Sequence, residues 1–221
     1  QEFYVCTSRF NPPDQQLCDD LVRDGAEQVT VTPDVMDKIA YGQRTLPLVA
    51  VATLKTPPLL DSLNLSAESL VLVLEGIEKP GNLGAIARAA DGGGATAVIL
   101  ADSICDIFNP NAIRASAGAL FHIPILHQSS EDIQPWLQAN QFQTFSTRVN
   151  AAQSYSSVDL TGRTCIVLGT EATGLSDQWN HSNSTEIALP MQGVGDSLNV
   201  STTAAILVYE SLRQRKLGKS D

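Results

Sequence analysis

Three polar stretches that contain glycine each follow an apolar, strand-like run in this sequence. They are N-L-G-A-I-A-R at 82–88, G-T-E-A-T-G at 169–174, and P-M-Q-G at 190–193 running into S-L-N-V-S at 197–201. A run such as Leu70–Leu74 is apolar throughout, which is typical of a parallel strand buried on both faces. Loops at the carboxyl ends of such strands share one edge of the sheet, where open α/β folds bind ligands. We therefore expect the three stretches to form one site.

The composition bounds the class of protein. The 221 residues, 43% of them hydrophobic, suffice for one large domain or two modest ones. No apolar run approaches the roughly 18 residues that span a bilayer, so no membrane segment is expected. The four cysteines form no C-x-x-C pair, and Cys165, inside an apolar run, is expected to be a buried hydrophobe. A cytoplasmic location is the default expectation.

The net charge of −10 argues against a protein that coats nucleic acid nonspecifically, because that binding depends on Lys and Arg neutralising phosphates. A local basic patch is still possible. Four cations cluster near the carboxyl terminus, and they either complement the dipole of a last helical turn or contact RNA. They are Arg213, Arg215, Lys216 and Lys219.

The sequence divides into a small unit at 1–54, a linker at 55–69 that contains Pro57-Pro58, and a larger domain at 70–221. In the small unit, strands and helices alternate as β-α-β-α-β, which predicts an α/β unit with parallel strands. Thr32 is the expected N-cap of its second helix, with Pro33 at the first helical position. The predicted elements are Phe3–Cys6, Asp14–Arg23, Gln28–Thr32, Pro33–Ala40 and Leu46–Leu54.

The larger domain repeats the parallel α/β pattern. The predicted strands are Leu70–Leu74, Ala97–Leu100, Ile123–Leu126, Phe142–Ser146, Thr164–Leu168 and Glu186–Leu189. The predicted helices are Asn82–Ala90, Asn111–Ala117, Glu131–Ala139 and one from Leu198 to about Arg215.

The first stretch permits a dinucleotide-binding interpretation, since Asp102 falls near the position of a ribose-binding carboxylate. That interpretation is disfavoured because Gly81 and Gly84 form only G-x-x-G. With Asn82 as N-cap, Gly84 and Arg88 share a helix face, so Arg88 can lean over the glycine toward the strand ends. The alternative is that Gly84 permits close packing and Arg88 pairs with a surface carboxylate. The residues alone leave both open.

Taken together, the three stretches resemble the motifs of the SpoU/TrmH family of RNA ribose 2′-O-methyltransferases, in the SPOUT class. The family's N-x-G-x-x-x-R is matched by Asn82, Gly84 and Arg88, and its G-x-E-x-x-G by Gly169, Glu171 and Gly174. Its P-M-x-G and S-L-N-V-S are matched at 190–193 and 197–201. The match covers roughly residues 70–216.

The resemblance implies an S-adenosylmethionine-dependent enzyme with a parallel sheet and a carboxyl-terminal trefoil knot, which ordinary connection rules would not predict. It also implies a homodimer whose active site lies at the subunit interface. Residues 1–54 are similar to the latter part of a small RNA substrate-binding domain, whose start is expected to be missing. Ribosomal RNA is the expected substrate, with tRNA as the alternative; a non-catalytic RNA-binding module and a nicotinamide enzyme are the other classes.

The resemblance also implies roles for individual residues. Arg88 activates or orients the ribose, and the second role is chemically easier because a guanidinium rarely loses its proton. Asn82 and Asn199 fix the ribose or Arg88, while Glu171 holds Arg88 or the nucleoside. Ser197 either caps the last helix or faces the substrate.

The remaining expectations concern the cofactor, RNA and metals. Residues expected to line the cofactor pocket are Gly169, Leu189, Met191, Leu198 and, following a strand, Thr147. Arg114 is a further candidate RNA contact, with a surface salt bridge as the alternative. The histidines show no ligand spacing with Asp, Glu or Cys, so no metal is expected; they are His122, His127 and His181.

Overall fold

The computed structural model describes residues 1–42, 45–54, 56–170, 173–180 and 183–217. The chain divides into two compact units, 1–56 and 57–221. Leu60, in the segment expected to be a linker, is buried in the core of the second unit, with Leu63 and Leu65 packed beside it. In the described part of the chain, no helix combines the length and apolar character needed to cross a bilayer.

The first unit is a three-stranded mixed sheet with two helices. Its elements are β1 (Glu2–Val5), α1 (Pro12–Arg23), β2 (Glu27–Thr30), α2 (Pro33–Ile39) and β3 (Leu48–Val51). The strand order is β2-β1-β3, and Phe3 and Val5 of β1 pack against Cys18 of α1. Thr32 Oγ1 accepts the Val35 N–H at 3.4 Å, which confirms the predicted N-cap of α2.

The expectation of parallel strands throughout this unit was wrong for β3. Strands β1 and β2 are parallel, but β3 runs antiparallel to β1, with Leu48 opposite Val5. The reason is where the chain re-enters the sheet. The Cys6 N–H donates to the Pro47 carbonyl, so β3 begins at the carboxyl end of β1 and must run back along it.

The second unit is built on a seven-stranded sheet. Its strands are β4 (Leu70–Glu75), β5 (Ala97–Ala101), β6 (Ile125–Gln128), β7 (Gln143–Thr147), β8 (Gln153–Ser154), β9 (Thr164–Leu168) and β10 (Ser184–Ala188). Its helices are α3 (Pro80–Gly92), α4 (Pro110–Ser116), α5 (Ser130–Ala139) and α6 (Val200–Leu217). Strand β8 has two residues, too few to give a periodic signal in the sequence.

All paired strands of this sheet are parallel, in the order β6-β5-β4-β9-β7-β10-β8, which confirms the predicted parallel sheet. Alternate residues of β4 enter two different cores. Leu70, Leu72 and Leu74 pack with α3 and α6, whereas Val71 and Val73 pack with Ile133 and Trp136 of α5. Since helices cover both faces, Leu70–Leu74 of β4 have to be apolar at every position.

Several helices begin one or two residues from the predicted position, and two of these shifts involve predicted site residues. Helix α3 starts at Pro80, and Asn82 lies in its first turn rather than at the N-cap. Proline is favoured at the first helical position because its missing N–H would have no partner there. Helix α6 starts at Val200, two residues after the predicted start at Leu198.

Candidate active site

A cleft of about 630 Å³ opens at the carboxyl ends of β7, β9 and β10. It is lined by the loops that follow these strands and by the first turn of α6, so the second and third sequence stretches meet there as expected. All five residues predicted for the cofactor pocket line this cleft: Thr147, Gly169, Leu189, Met191 and Leu198. Ser197 also lines the cleft, whereas the other predicted site residues in the described ranges do not. They are Asn82, Arg88, Arg114 and Asn199.

The glycines of the second stretch build a tight turn. Thr170 and Gly174 exchange two backbone hydrogen bonds, each of 3.1 Å. Gly174 has a φ of +70°, which glycine adopts at little cost. At Gly169, a β-carbon would lie 2.2 Å from the Gly174 carbonyl carbon, so only glycine fits under the turn. The turn thereby forms one wall of the cleft.

The carboxylate predicted within this turn, Glu171, lies outside the described residues. Its described neighbours Thr170 and Thr173 both line the cleft. Their hydroxyls lie 2.8 Å apart, and Thr170 Oγ1 also accepts the Thr173 N–H at 3.0 Å. These bonds hold the two ends of the turn together.

The end of β7 supplies two polar residues to the cleft. Thr147 donates its hydroxyl to the Val167 carbonyl at 2.9 Å, so this oxygen can offer a ligand only an acceptor. Arg148 donates to the carbonyls of Leu175 and Ser176, at 2.9 and 3.0 Å. Its Nε lies 3.0 Å from Glu186 Oε1, so the two side chains form an ion pair, but the geometry is not that of a hydrogen bond.

The charged residues near the cleft that were missed in the sequence include Arg148, which lines it, and Glu75 at the end of β4. Glu75 is buried and accepts hydrogen bonds from the backbone and hydroxyl of Ser176. Neither belongs to a motif. For Glu75 the available signal was a charged residue directly after the apolar run Leu70–Leu74, and for Arg148 it was a charged residue just after a predicted strand, both at the edge of the sheet where ligands bind.

Asn199, rather than Ser197, caps α6. Its Oδ1 accepts the N–H and the hydroxyl of Ser201, at 2.9 and 2.6 Å, and its carbonyl accepts the Thr203 N–H. The cap interpretation of Ser197 was therefore wrong, because the helix begins two residues later. Ser197 instead donates to Asp196 at 3.2 Å and remains exposed.

The same Asn199 joins the third stretch to the first. Its Nδ2 lies 3.3 Å from Asn82 Oδ1, so the start of α6 contacts the first turn of α3. The two amides predicted to act together are thus adjacent, on the surface next to the cleft.

Gly84 serves close packing. A β-carbon there would lie 2.2 Å from the Ala112 carbonyl oxygen and 2.9 Å from the Ser116 nitrogen. The space beside Gly84 is therefore filled by α4, and the interpretation in which it makes room for Arg88 was wrong. Arg88 is exposed on α3, where it forms no hydrogen bond or ion pair with any described residue, and it does not line the cleft.

The remaining cations differ in their surroundings. Arg114 is exposed on α4 and donates to Asn111 at 3.2 Å. Arg215 donates to the carbonyls of Leu160 and Gly162, and its burial lowers its pKa. Arg213 pairs with Glu210 and holds the pKa of that carboxyl below its usual value.

The predicted residues Lys219 and His181 lie outside the described ranges. His122 forms a close pair with Asp91 on the surface. Within the described ranges, His, Cys, Asp and Glu side chains form no group of three that could hold a metal ion.

Comparison with known proteins assigns the family. The model of the SpoU rRNA Methylase family matches residues 69–209. A 23S rRNA (uridine(2479)-2′-O)-methyltransferase of Streptomyces viridochromogenes is 28% identical over 200 residues, 88% of this chain and 70% of that protein. The 23S rRNA (guanosine(2553)-2′-O)-methyltransferase RlmP of Bacillus subtilis is 31% identical over 139 residues, 63% of this chain. That match spans 56% of RlmP, less than two thirds of its length.

A solved structure shares the fold over nearly the whole chain. It is the SpoU methyltransferase AviRb of Streptomyces viridochromogenes, in complex with the cofactor AdoMet. The two share 25% identity with a TM-score of 0.85, covering 98% of this chain and 83% of AviRb. The family match includes all three motifs and both amides of the Asn82–Asn199 pair. This chain belongs to the SpoU rRNA methylase family.

Proposed function

We propose that this protein transfers a methyl group from S-adenosylmethionine to a ribose 2′-hydroxyl of ribosomal RNA. The observation that carries the proposal is the cleft at the ends of β7, β9 and β10, because residues of the second and third motifs line it together. The names of the Streptomyces and Bacillus relatives support the reaction and the class of RNA. The AdoMet complex of AviRb supports the cofactor.

The cleft suits a ligand of this size and polarity. Its volume of about 630 Å³ lies within the range of small-molecule sites. Apolar side chains such as Leu168, Ile187 and Leu189 form one part of the lining, and the backbone of the 169–175 turn forms another. The guanidinium of Arg148 is held by protein oxygens, which suits a cofactor without phosphate groups.

When bound, the cofactor supplies a methyl group on a positively charged sulfur. This chain's own residues then have to hold the ribose in line with that group and accept or share the hydroxyl proton. Arg88 has no carboxylate partner in the described ranges, which leaves its guanidinium available for a bidentate contact with a phosphate. The Asn82–Asn199 pair orients the ribose, and Glu171 holds Arg88 or the nucleoside.

We further propose that the active protein is a homodimer in which Arg88 of the partner subunit completes the cleft. The support is that neither Arg88 nor Arg114 lines the cleft of its own protomer. Mixing an Arg88→Ala variant with a Gly169→Ala variant tests this. Recovery of methyl transfer on mixing is expected, because each mixed dimer regains one complete site; no recovery would place Arg88 and the cleft of one site in the same protomer.

The trefoil knot is also a proposal. It is supported by β9, which lies between β4 and β7 although it follows β8 in the chain. It is further supported by the end of α6, where Ser211 donates to the Leu160 carbonyl at 3.0 Å, just before β9. Single-molecule stretching from both ends measures it: a knotted chain reaches a shorter extended length than its residue number allows.

The reaction itself is tested by transfer of labelled methyl groups from S-adenosylmethionine to ribosomal RNA and, separately, to tRNA. Incorporation at a ribose of ribosomal RNA is expected. The Arg88→Lys variant should lose most of this activity while its cofactor affinity stays unchanged, because lysine cannot make the bidentate contact. Cofactor and RNA binding without any transfer would overturn the proposal in favour of a non-catalytic RNA-binding protein.

A further inference from the structure

We propose that Glu75 is a positioning residue that sets the geometry of the cofactor cleft by clamping the peptide segment Leu175–Ser176. This inference rests on the proposed function, because it assigns S-adenosylmethionine to the cleft at the ends of β7, β9 and β10. Glu75 does not line that cleft. It lies at the end of β4 and is 8% exposed.

The contacts of Glu75 are directed at one residue. Its Oε2 accepts the Ser176 N–H at 2.8 Å, and its Oε1 accepts the Ser176 hydroxyl at 2.6 Å. Hydrogen bonds to an ionised carboxylate are shorter and stronger than neutral ones. A buried carboxylate is costly unless it is hydrogen-bonded, so a structural role alone would be served as well by an apolar residue at the end of this apolar strand.

The opposite side of the same segment is held by a cation. Arg148 donates to the carbonyls of Leu175 and Ser176, at 2.9 and 3.0 Å. The carboxylate therefore takes the donors of the segment and the guanidinium takes its acceptors. The negative carboxylate meets the positive ends of the peptide dipoles and the positive guanidinium meets their negative ends. This arrangement fixes both the position and the orientation of the two peptide groups.

The clamped segment directly follows the glycine turn. Leu175 lines the cleft and follows Gly174 directly, and Gly174 is bonded back to Thr170. A shift at Ser176 is therefore passed to the wall of the cleft within two residues. Since Glu75 is on β4 and Arg148 is at the end of β7, the clamp fixes the turn after β9 to the strands on both of its sides.

The test compares the affinity for S-adenosylmethionine, measured by titration calorimetry, in Glu75→Gln, Ser176→Ala and the double variant. Glu75→Gln should weaken binding about tenfold or more, since it removes the negative charge and one of the two acceptor oxygens that meet the donors of Ser176. Ser176→Ala, which removes only the hydroxyl bond, should weaken binding less. The double variant should bind like Glu75→Gln, because the hydroxyl bond that Ser176→Ala removes is already disrupted when Glu75 is replaced. Glu78→Gln, the same change at an exposed site three residues away, should bind like the wild type.

A second readout separates positioning from stability. With S-adenosylmethionine at saturation, kcat should recover in Ser176→Ala while KM for the cofactor stays raised. Wild-type affinity in Glu75→Gln, or equal losses in Glu75→Gln and Glu78→Gln, would overturn the clamp. If the wild-type protein itself failed to bind the cofactor, the proposed function would be refuted. The clamp would then be tested by hydrogen exchange of the Ser176 amide. An exchange rate unchanged by Glu75→Gln would refute the clamp.

Discussion

A β-carbon on Gly84 would lie 2.2 Å from the carbonyl oxygen of Ala112, so α3 and α4 touch at a point where no side chain fits. The contact involves backbone, which cannot move aside as the end of a flexible side chain can. It also places the helix that carries Arg88 directly against the helix that carries Arg114. The first motif therefore uses its glycine to pack α3 closely against α4.

Gly84→Ala should lower the free energy of unfolding by about 1–3 kcal/mol, the usual cost of overpacking. Gly81→Ala is the matched control, because it lies in the same helix with nothing within 4 Å of the added β-carbon. It should leave stability unchanged or raise it by up to about 1 kcal/mol. Urea unfolding of both variants measures the difference, and equal values would contradict the close contact.

Gly169→Ala should weaken the binding of S-adenosylmethionine by roughly tenfold or more, equivalent to about 1.4 kcal/mol. The added β-carbon would meet the Gly174 carbonyl carbon at 2.2 Å, so the bridge between Thr170 and Gly174 must open. Calorimetric titration checks this. Gly162→Ala, where the β-carbon meets nothing within 4 Å, should bind as the wild type does; a Gly169→Ala variant of normal affinity would show that the turn does not shape the cleft.

The two roles of Asn199 can be separated by substitution. Asn199→Asp keeps an oxygen for the Ser201 N–H and so keeps the helix cap, but it replaces the donor that meets Asn82 with a second acceptor. We expect a free energy of unfolding near that of the wild type and methyl transfer reduced about tenfold or more, since two oxygens then face each other. Asn199→Ala should lose about 1 kcal/mol of stability as well. Full activity in Asn199→Asp would mean that the amide pair is not needed for transfer.

Burial raises the pKa of the Cys165 thiol well above its usual value. In the unfolded chain the thiol ionises above about pH 8.5, while the folded protein retains the proton. Stability should therefore fall as pH rises from about 8.5 to 10, with a contribution from this thiol of up to about 1.4 kcal/mol per pH unit. Unfolding curves of the wild type and Cys165→Ala over this range measure it; identical pH slopes would contradict the burial of this thiol.

The sequence was informative where a local pattern decides the structure. Leu70–Leu74 is apolar at every position, and only a strand covered on both faces needs that, so the parallel sheet could be predicted. The cleft could be predicted because its lining follows strands that end at the same edge. Thr32 and Pro33 predicted the start of α2, because an N-cap and a first-turn proline both act within a single helical turn.

What could not be predicted depends on partners distant in the chain. Gly84 has the same local signature whether it clears space for Arg88 or lies under α4, and only the position of Ala112 decides. The direction of β3 is set by where Pro47 meets Cys6. Glu75 and Arg148 are single charged residues without a motif, and their shared target, Ser176, is recognisable only once three strand ends are brought together.

The insertion of β9 between β4 and β7 also has a consequence for biosynthesis. The central strand β4 cannot acquire its second neighbour until β5 through β8 have been translated, because β9 follows them all. Until then one hydrogen-bonding edge of a strand with five consecutive apolar residues, Leu70–Leu74, stays open, and such an edge favours association with other nascent chains. The active-site turn after β9 is therefore among the last parts of the domain that can form on the ribosome, and slowed translation upstream of β9 should prolong the period in which the chain depends on chaperones.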